Sequence, residues 1–253
     1  MSKIYLLNNS FHFSVDDVFE SLIDITDNKI PIKKHYFFKV LYKLWKKYKI
    51  KTGLHLFYQA KIKGKLRTLK EIKVIKKEIK EGWIYFGAHG LDVRTPPYKQ
   101  KPSTQKKIIN DIYKEIYRFA GKKFLCKKIR LHHYSESYEI SDFLRDKKIN
   151  TLFSTDRKVG AHKIPKNLAM QLLKEGVLIY NKLKFIRTDY RIEFLTKKTV
   201  SEMFNKFYET LKNKRFIVIY SHEYEFKKKI ILSTLNKTMD ILTNKLKLKN
   251  IHP

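Results

Sequence analysis

Two kinds of hydrophobic pattern alternate along the chain. Short stretches rich in apolar, β-branched and aromatic residues predict strands, and they cover residues 11–14, 53–58, 83–88, 128–133, 150–154, 177–180 and 216–220. Between most of them, apolar residues recur at the spacing of one helix face. These segments predict helices at 36–48, 69–79, 105–119, 141–147, 167–174, 200–211 and, rich in lysine, about 227–250.

About seven alternations of strand and helix favour an α/β fold with a mainly parallel sheet. Both an open doubly wound sheet and a barrel satisfy this pattern, and the strand ends favour the barrel. Five predicted strands end in, or run into, polar residues, and in barrels of parallel strands such residues gather at one mouth. They are Asp16 and Asp17, His89, Arg130 with His132 and His133, Thr155 with Asp156, and Ser221 with His222.

Composition limits the class of protein. The 253 residues include 17 Phe and 16 Tyr, and 43% are hydrophobic, which is enough for a core and excludes general disorder. No apolar run approaches the ~20 residues needed to cross a bilayer. The first residues lack the apolar core of a signal peptide, and Cys126 is the single cysteine. With no linker-like segment or repeat, we expect one domain over residues 1–253 and a cytoplasmic location.

The net charge of +32 raises the question of a nucleic-acid partner. Only nine of the 56 basic residues are arginine, the favoured group for bidentate contacts with phosphate and guanine. The lysines are spread over the whole chain instead of forming one stripe. We therefore expect solvated lysine surfaces and no specific nucleic-acid partner. The basic C-terminal helix packs on the barrel or makes peripheral contact with an anionic membrane.

Each polar strand end also has a structural interpretation. Asp16 or Asp17 can cap the helix that follows, which is the commoner role of such a pair, and a lone histidine such as His89 is more often a hydrogen-bonded structural residue. Because side chains alternate across a strand, at most one of His132 and His133 faces the barrel interior. As a set, however, these residues suit a hydrolytic metal site. A carboxylate and two imidazoles can hold Zn²⁺, while a second carboxylate and another histidine transfer protons.

The order of these segments resembles a known family. Phe11-His-Phe-Ser-Val-Asp16-Asp17 is similar to the T-F-D-D motif of the polysaccharide deacetylases, the carbohydrate esterase family 4 proteins that share the NodB homology fold. The succession of later segments resembles a divergent branch associated with surface-polysaccharide biosynthesis. These segments are Gly87-Ala-His89-Gly90, Arg130-Leu-His-His-Tyr-Ser135, Thr151-Leu-Phe-Ser-Thr-Asp156, Thr188-Asp-Tyr-Arg191 and Ser221-His-Glu-Tyr224.

The resemblance implies a deformed (β/α) barrel of about seven strands and metal-dependent removal of an acetyl group from a sugar. By motif, Asp16 would be the general base and Asp17 a metal ligand, and His89 would match the first histidine of the family's H-x-x-x-H metal motif. The remaining implied roles belong to Arg130, which orients the base, to His222, which protonates the leaving group, and to Asp156, which tunes that histidine.

The sequence departs from the family at one position. The second histidine of the metal motif falls at Val93. The third ligand must then come from elsewhere, with Asp92, His132 and His222 as candidates, or metal binding is weakened or lost. We expect His132, because it shares a strand face with Arg130.

These observations predict a deacetylase that uses a divalent metal, Zn²⁺ or alternatively Mn²⁺, Co²⁺ or Ni²⁺. We expect it to act on an acetylated sugar or glycan precursor in surface-polysaccharide biosynthesis. The alternative, which Val93 favours, is a catalytically degenerate barrel that binds glycan or a biosynthetic partner. The sequence leaves the sugar, the acetyl linkage and the oligomeric state open.

Overall fold

The computed structural model describes residues 9–134, 138–155, 164–214 and 216–253. Strands and helices alternate along most of these residues. The strands are β1 (Ser10–Val18), β2 (Thr52–Phe57), β3 (Gln59–Ile62), β4 (Lys65–Thr68), β5 (Ile84–Gly90), β6 (Lys128–Ile129), β7 (Thr151–Ser154), β8 (Val177–Tyr180), β9 (Leu183–Arg187), β10 (Tyr190–Arg191), β11 (Phe216–His222) and β12 (Lys249–Asn250). The helices are α1 (Glu20–Asp27), α2 (Tyr36–Tyr48), α3 (Pro102–Phe119), α4 (Ser141–Asp146), α5 (Lys166–Glu175), α6 (Val200–Lys214) and α7 (Lys229–Asp240).

Two mainly parallel sheets follow one another around a barrel. One has the strand order β10-β11-β1-β2-β5, with β12 beside β1, and the other has the order β6-β7-β9-β8. On one side, a bridge between Phe86 and Leu125 joins β5 to the segment before β6. On the other side, residues 183–191 span both sheets, because β9 pairs with β7 and β10 pairs with β11. The fold is therefore α/β, a deformed (β/α) barrel.

Strand β1 shows why this sequence builds a barrel, in which both faces of a strand are covered. Residues 11, 13 and 15 are apolar and completely buried in the main core. The alternate residues are also buried, but they contact other strands across the interior. His12 stacks on Phe153 of β7 with ring centroids 4.3 Å apart, and the hydroxyl of Ser14 accepts a hydrogen bond from Arg130.

The barrel interior changes from apolar to polar along the strands. Phe153, Ile186, Phe216 and Val218 form a small apolar cluster separate from the main core. Polar side chains take over toward the carboxyl ends of the strands, where Asp16 and His222 lie opposite each other in register. No helix within the described ranges combines the length and apolar character that a membrane span requires.

The predicted helix at 69–79 is wrong. Only Leu69–Glu71 is helical, as a short 3₁₀ turn. The guanidinium of Arg118 donates hydrogen bonds of 2.7 Å to the carbonyls of both Leu69 and Ile72, which are the acceptors that a continuing helix would need. The isoleucines that produce the helical spacing in the sequence are buried in the core without forming a helix.

Three other predicted elements have different roles or bounds. The strand at 177–180 exists as β8, but it pairs antiparallel with β9, and β9 is the strand that contributes to the barrel. Strand β6 is shorter than 128–133, because the chain turns at His132–Tyr134. Helix α7 ends at Asp240 and continues as a π-helical turn over Ile241–Lys245, so it is shorter than 227–250. Its apolar face belongs to the main core.

Candidate active site

Asp16 and Asp17 lie at the end of β1, where the strand is irregular. Asp16 pairs with His222 of β11, whereas the register with β2 shifts between Val15 and Val18. Asp17 adopts a left-handed backbone conformation with φ of 60°, which is uncommon outside glycine and easier for Asp and Asn than for most residues. This irregularity lets both carboxylates reach the same mouth, although neighbouring side chains in a regular strand point to opposite faces.

Asp16 is a buried carboxylate held by two partners. Arg130 Nη1 lies 3.1 and 3.0 Å from its two oxygens, and His55 Nδ1 lies 2.7 Å from Oδ1. Arg130 also donates to Ser14 Oγ and Thr188 Oγ1. Burial by itself raises the pKa of Asp16, but the charge of Arg130 and the hydrogen bond from His55 outweigh it and hold the pKa well below its usual range. Asp16 is therefore ionised and fixed in orientation.

Asp17, His89 and His132 form a compact cluster at the mouth. Asp17 Oδ1 lies 3.1 Å from His89 Nε2 and 3.7 Å from His132 Nδ1, and these two nitrogens are 3.2 Å apart. In a tetrahedral site with metal–ligand bonds of 2.0–2.1 Å, neighbouring donor atoms are about 3.3 Å apart. The three atoms thus have the spacing of ligands to one metal ion.

Each histidine of the cluster is oriented by a main-chain carbonyl. His89 Nδ1 lies 2.6 Å from the carbonyl oxygen of Arg130, and His132 Nε2 lies 3.1 Å from that of Val93. Because a carbonyl only accepts, these nitrogens carry protons, and in the neutral imidazoles the lone pairs of the other two nitrogens face Asp17. Burial and the neighbouring His89 lower the pKa of His132 to about 4, so it is neutral at pH 7. Three electron-pair donors that converge in this way fit a divalent cation.

His222, at the end of β11, contacts a carboxylate from another segment. Glu193 Oε1 accepts hydrogen bonds of 3.0 Å from the Nδ1 and amide of His222 and from Ser221 Oγ. Burial lowers the pKa of His222, but the hydrogen bond to Glu193 and the charges of Asp16 and Asp17 outweigh burial and raise the pKa above its usual value. Because Nδ1 donates to Glu193, the proton on Nε2 is the one available to a substrate.

A cleft of about 420 Å³ opens beside the cluster, and this volume is typical of small-molecule sites. Asp17 lies in its wall, next to Tyr224 from the turn after β11. Leu66 from the β3–β4 hairpin and Val93 from the loop after β5 supply apolar surface. The cleft therefore leads from the protein surface to the metal-ligand cluster.

Most residues selected from the sequence come together at this mouth. Asp16 with Arg130, the cluster of Asp17, His89 and His132, and His222 all lie there, whereas Asp156 is outside the described residues. Of the three candidates for a third ligand, only His132 belongs to the cluster. The Asp92 carboxylate accepts hydrogen bonds from Gln59 and Thr95, and His222 contacts Glu193. The catalytic and metal-binding roles of these residues stay predictions.

Two residues of the site, His55 and Glu193, are not identified by the sequence analysis. His55 had a signal, because it is a polar residue between Leu54 and Leu56 in a strand that is otherwise largely apolar. Glu193 had none: it lies in a short 3₁₀ turn after β10 and belongs to no recognisable motif. Its contact with His222 appears only when the strands are assembled.

No family model and no curated protein sequence matches the chain. Solved structures do resemble it, and three of them illustrate the likeness. The 4-α-glucanotransferase of Thermococcus litoralis has a TM-score of 0.58 and 12% identity, covering 96% of this chain and 37% of its own. A protein of Mycobacterium smegmatis proposed to be a polysaccharide deacetylase has a TM-score of 0.56 and 9% identity, covering 100% and 96%. A CE4 family pseudoenzyme of Bacillus anthracis has a TM-score of 0.53 and 10% identity, covering 98% and 65%.

At these identities the likeness establishes the fold and not the activity. The chain has the NodB-like fold of the polysaccharide deacetylases, as the resemblance in its motifs implies. It spans 37% of the length of the glucanotransferase and 65% of that of the pseudoenzyme.

Proposed function

We propose that this protein is a metal-dependent deacetylase that removes an acetyl group from a sugar or glycan precursor. The observation that carries the proposal is the cluster of Asp17, His89 and His132, whose donor atoms are 3.1, 3.2 and 3.7 Å apart. The wider setting, a cytoplasmic step in surface-polysaccharide biosynthesis, is part of the proposal and is supported by the resemblance in sequence alone.

Asp17, His89 and His132 would hold the metal. Zinc is the first choice for one carboxylate and two imidazoles, and Mn²⁺, Co²⁺ and Ni²⁺ are alternatives because the same donors suit them. When bound, a divalent ion supplies Lewis acidity, which polarises the acetyl carbonyl and lowers the pKa of water. The carbonyls of Arg130 and Val93 keep the two imidazoles in the tautomers that a metal requires.

Asp16 is the proposed general base. Its Oδ1 carries the hydrogen bond from His55 and one contact with Arg130, whereas Oδ2 has the Arg130 contact alone among the described residues. Oδ2 therefore keeps the capacity to accept a hydrogen bond from the attacking water. The stabilisation that keeps Asp16 ionised also makes it a weak base, so a proton that it accepts is readily passed on.

His222 is the proposed proton donor to the leaving amine or alcohol. Its raised pKa increases the protonated fraction at neutral pH. Glu193 holds Nδ1 and thereby directs the proton on Nε2 away from itself. Asp16 and His222 are paired residues on adjacent strands, so the base and the acid lie on neighbouring sides of the mouth.

A glycan-binding barrel without turnover is the second candidate. Val93 stands where the family's second metal histidine falls, and its side chain is 59% exposed. The strongly lowered pKa of Asp16 also supports this candidate, because a weak base contributes less to catalysis. The same fold occurs in a protein described as a CE4 family pseudoenzyme.

Metal content and acetate release separate the two candidates. We expect one equivalent of metal by elemental analysis of protein purified without chelator, and its loss in Asp17→Asn and His132→Asn. Asparagine tolerates the left-handed backbone at position 17. His133→Asn is the matched control, because His133 is the adjacent, exposed histidine outside the cluster.

Acetate release from acetylated sugars by the wild-type protein, and its absence in Asp17→Asn, would support the deacetylase. Metal bound equally by all variants would contradict the assigned ligands. Stoichiometric metal without acetate release from a panel of N- and O-acetylated sugars would favour the glycan-binding candidate.

A further inference from the structure

Two cationic side chains line the cleft beside the metal-ligand cluster. Lys61 comes from β3 of the β3–β4 hairpin, and Arg94 comes from the loop after β5. Both are exposed, and neither forms a hydrogen bond or an ion pair through its side chain with any residue in the described part of the chain. An arginine has five N–H donors and a lysine has three. The cleft therefore offers a group of strong donors that no acceptor within the described ranges uses.

The carboxylates of the cleft are already engaged. Asp92 accepts hydrogen bonds from Gln59 Nε2, from Thr95 Oγ1 and from the Arg94 amide. Glu223 accepts hydrogen bonds from three amides at the start of α1 and is buried. Glu20 lies 3.3 Å from Lys227 outside the cleft, and Asp17 belongs to the cluster. Among the described residues, the cationic donor groups that the lining leaves free for a ligand are consequently those of Lys61 and Arg94.

The rest of the lining suits a sugar ring. Leu66 is 64% exposed and Val93 is 59% exposed, so both present apolar surface to a ligand. Tyr224 lies over the ring of His222 with centroids 5.2 Å apart and an interplanar angle of 19°, and half of its surface is exposed. An exposed aromatic ring with a polar hydroxyl combines an apolar body with a hydrogen-bonding tip.

We propose that the substrate is an acetylated sugar that carries an anionic group, a phosphate or a carboxylate, bound by Lys61 and Arg94. The inference rests on the proposed function, which places the acetyl group at the metal-ligand cluster. Guanidinium and ammonium groups form their strongest hydrogen bonds with such oxygens. The positive surface of the whole chain also raises the local concentration of anions.

Equilibrium binding of small sugars tests this inference without depending on turnover. The ligands are N-acetylglucosamine 1-phosphate, N-acetylglucosaminuronic acid and neutral N-acetylglucosamine, titrated calorimetrically into the protein as purified and again with chelator present. The chelator removes direct contact between an anion and a metal. We expect at least one anionic sugar to bind roughly tenfold more tightly than the neutral sugar, with or without chelator. The stronger of the two identifies the anionic group as phosphate or carboxylate.

Substitutions then locate the preference. Lys61→Ala and Arg94→Ala should each weaken binding of the anionic sugar by roughly fivefold and leave the neutral sugar unaffected. Lys65→Ala is the matched control, because Lys65 is an exposed lysine of the same hairpin that does not line this cleft. Its effect should be less than about twofold.

Equal binding of neutral and anionic sugars would overturn the inference. An equal loss of affinity in Lys65→Ala would also overturn the inference, because such a loss would indicate general attraction of anions. Tighter binding of RNA or heparin than of the anionic sugars, unchanged in Arg94→Ala, would overturn it for the same reason. Anion preference without acetate release would contradict the proposed catalysis and keep the binding site. Deacetylation of neutral sugars without anion preference would contradict the binding site and keep the catalysis.

Discussion

We expect Glu223→Ala to lower the free energy of unfolding by about 3 kcal/mol. The Glu223 carboxylate accepts hydrogen bonds from three consecutive amides at the start of α1, those of Phe19 (2.9 Å), Glu20 (3.0 Å) and Ser21 (2.7 Å). The residue before the helix makes no side-chain cap of its own. An acid from the far end of the chain therefore supplies the helix cap and ties the end of β11 to the segment that follows β1.

The magnitude follows from what the substitution leaves behind. Three amides lose their acceptor, and an unsatisfied buried donor costs roughly 1–3 kcal/mol. Phe19 and Ser21 are buried, whereas Glu20 is exposed and its amide can be hydrated. Removing a buried carboxylate returns part of this cost, because burial raises the pKa of Glu223 despite its hydrogen bonds to Ser21 and Phe19. A net loss of about 3 kcal/mol remains.

Urea unfolding followed by circular dichroism measures this loss. Glu225→Ala is the matched control, because Glu225 lies in the same turn and its carboxylate contacts only the exposed Lys228 among the described residues. Such a pair contributes about 0–1 kcal/mol. A difference of less than about 1 kcal/mol between the two variants would refute the proposed cap.

Glu223 should also make the free energy of unfolding depend on pH. Because the pKa of Glu223 is raised by burial, the folded protein binds this proton more tightly than the unfolded chain does. The resulting contribution to stability is complete below the ordinary glutamate pKa and is lost as the pH rises through the raised pKa. Glu223→Gln does not titrate, so we expect it to flatten the decline in stability over that interval. An unchanged slope would contradict the assignment.

Three further predictions concern the candidate site. Glu193→Gln removes a charge that raises the pKa of His222, so the alkaline loss of kcat/KM should move to lower pH. The amount of bound metal should not change. An unshifted pH profile would count against the pairing of Glu193 with His222. Arg130→Met leaves the Asp16 anion buried beside an uncharged side chain, and urea unfolding should show a loss of about 3–5 kcal/mol. Adding Asp16→Asn should recover part of that loss, and purely additive losses would argue against the coupling. Val93→His should leave the bound metal at one equivalent by elemental analysis, because His132 already supplies the third ligand. Tighter metal binding by this variant would contradict the role given to His132.

Much of the site can be predicted from sequence because it is a property of strand ends. Asp17 lies near the end of β1, His89 lies near the end of β5, and Arg130 follows β6. In a barrel of parallel strands, the carboxyl ends meet at one mouth whatever the details of packing. Helix α2 is equally predictable, because its apolar residues keep helical spacing over Tyr36–Tyr48 and that face is buried.

The parts that the sequence does not predict depend on contacts between distant segments. Arg118, 46 residues from Ile72 and 49 from Leu69, donates hydrogen bonds to the carbonyls of both, where the local spacing predicts a helix. Glu193 reaches His222 across 29 residues. Local patterns contain no information about such partners, so hydrophobic periodicity predicts the elements better than it predicts what interrupts or completes them.

The geometry at Val93 changes the meaning of the departure from the family motif. In an H-x-x-x-H motif, both imidazoles come from one segment, and losing the second histidine removes a ligand. Here His132, from the segment after β6, presents its Nδ1 to the same point, and position 93 contributes its carbonyl oxygen to the other nitrogen of that ring. Every residue has a carbonyl, so the side chain at position 93 can vary once the imidazole comes from elsewhere. The valine is therefore compatible with a complete set of three donors, supplied by the ends of β1, β5 and β6.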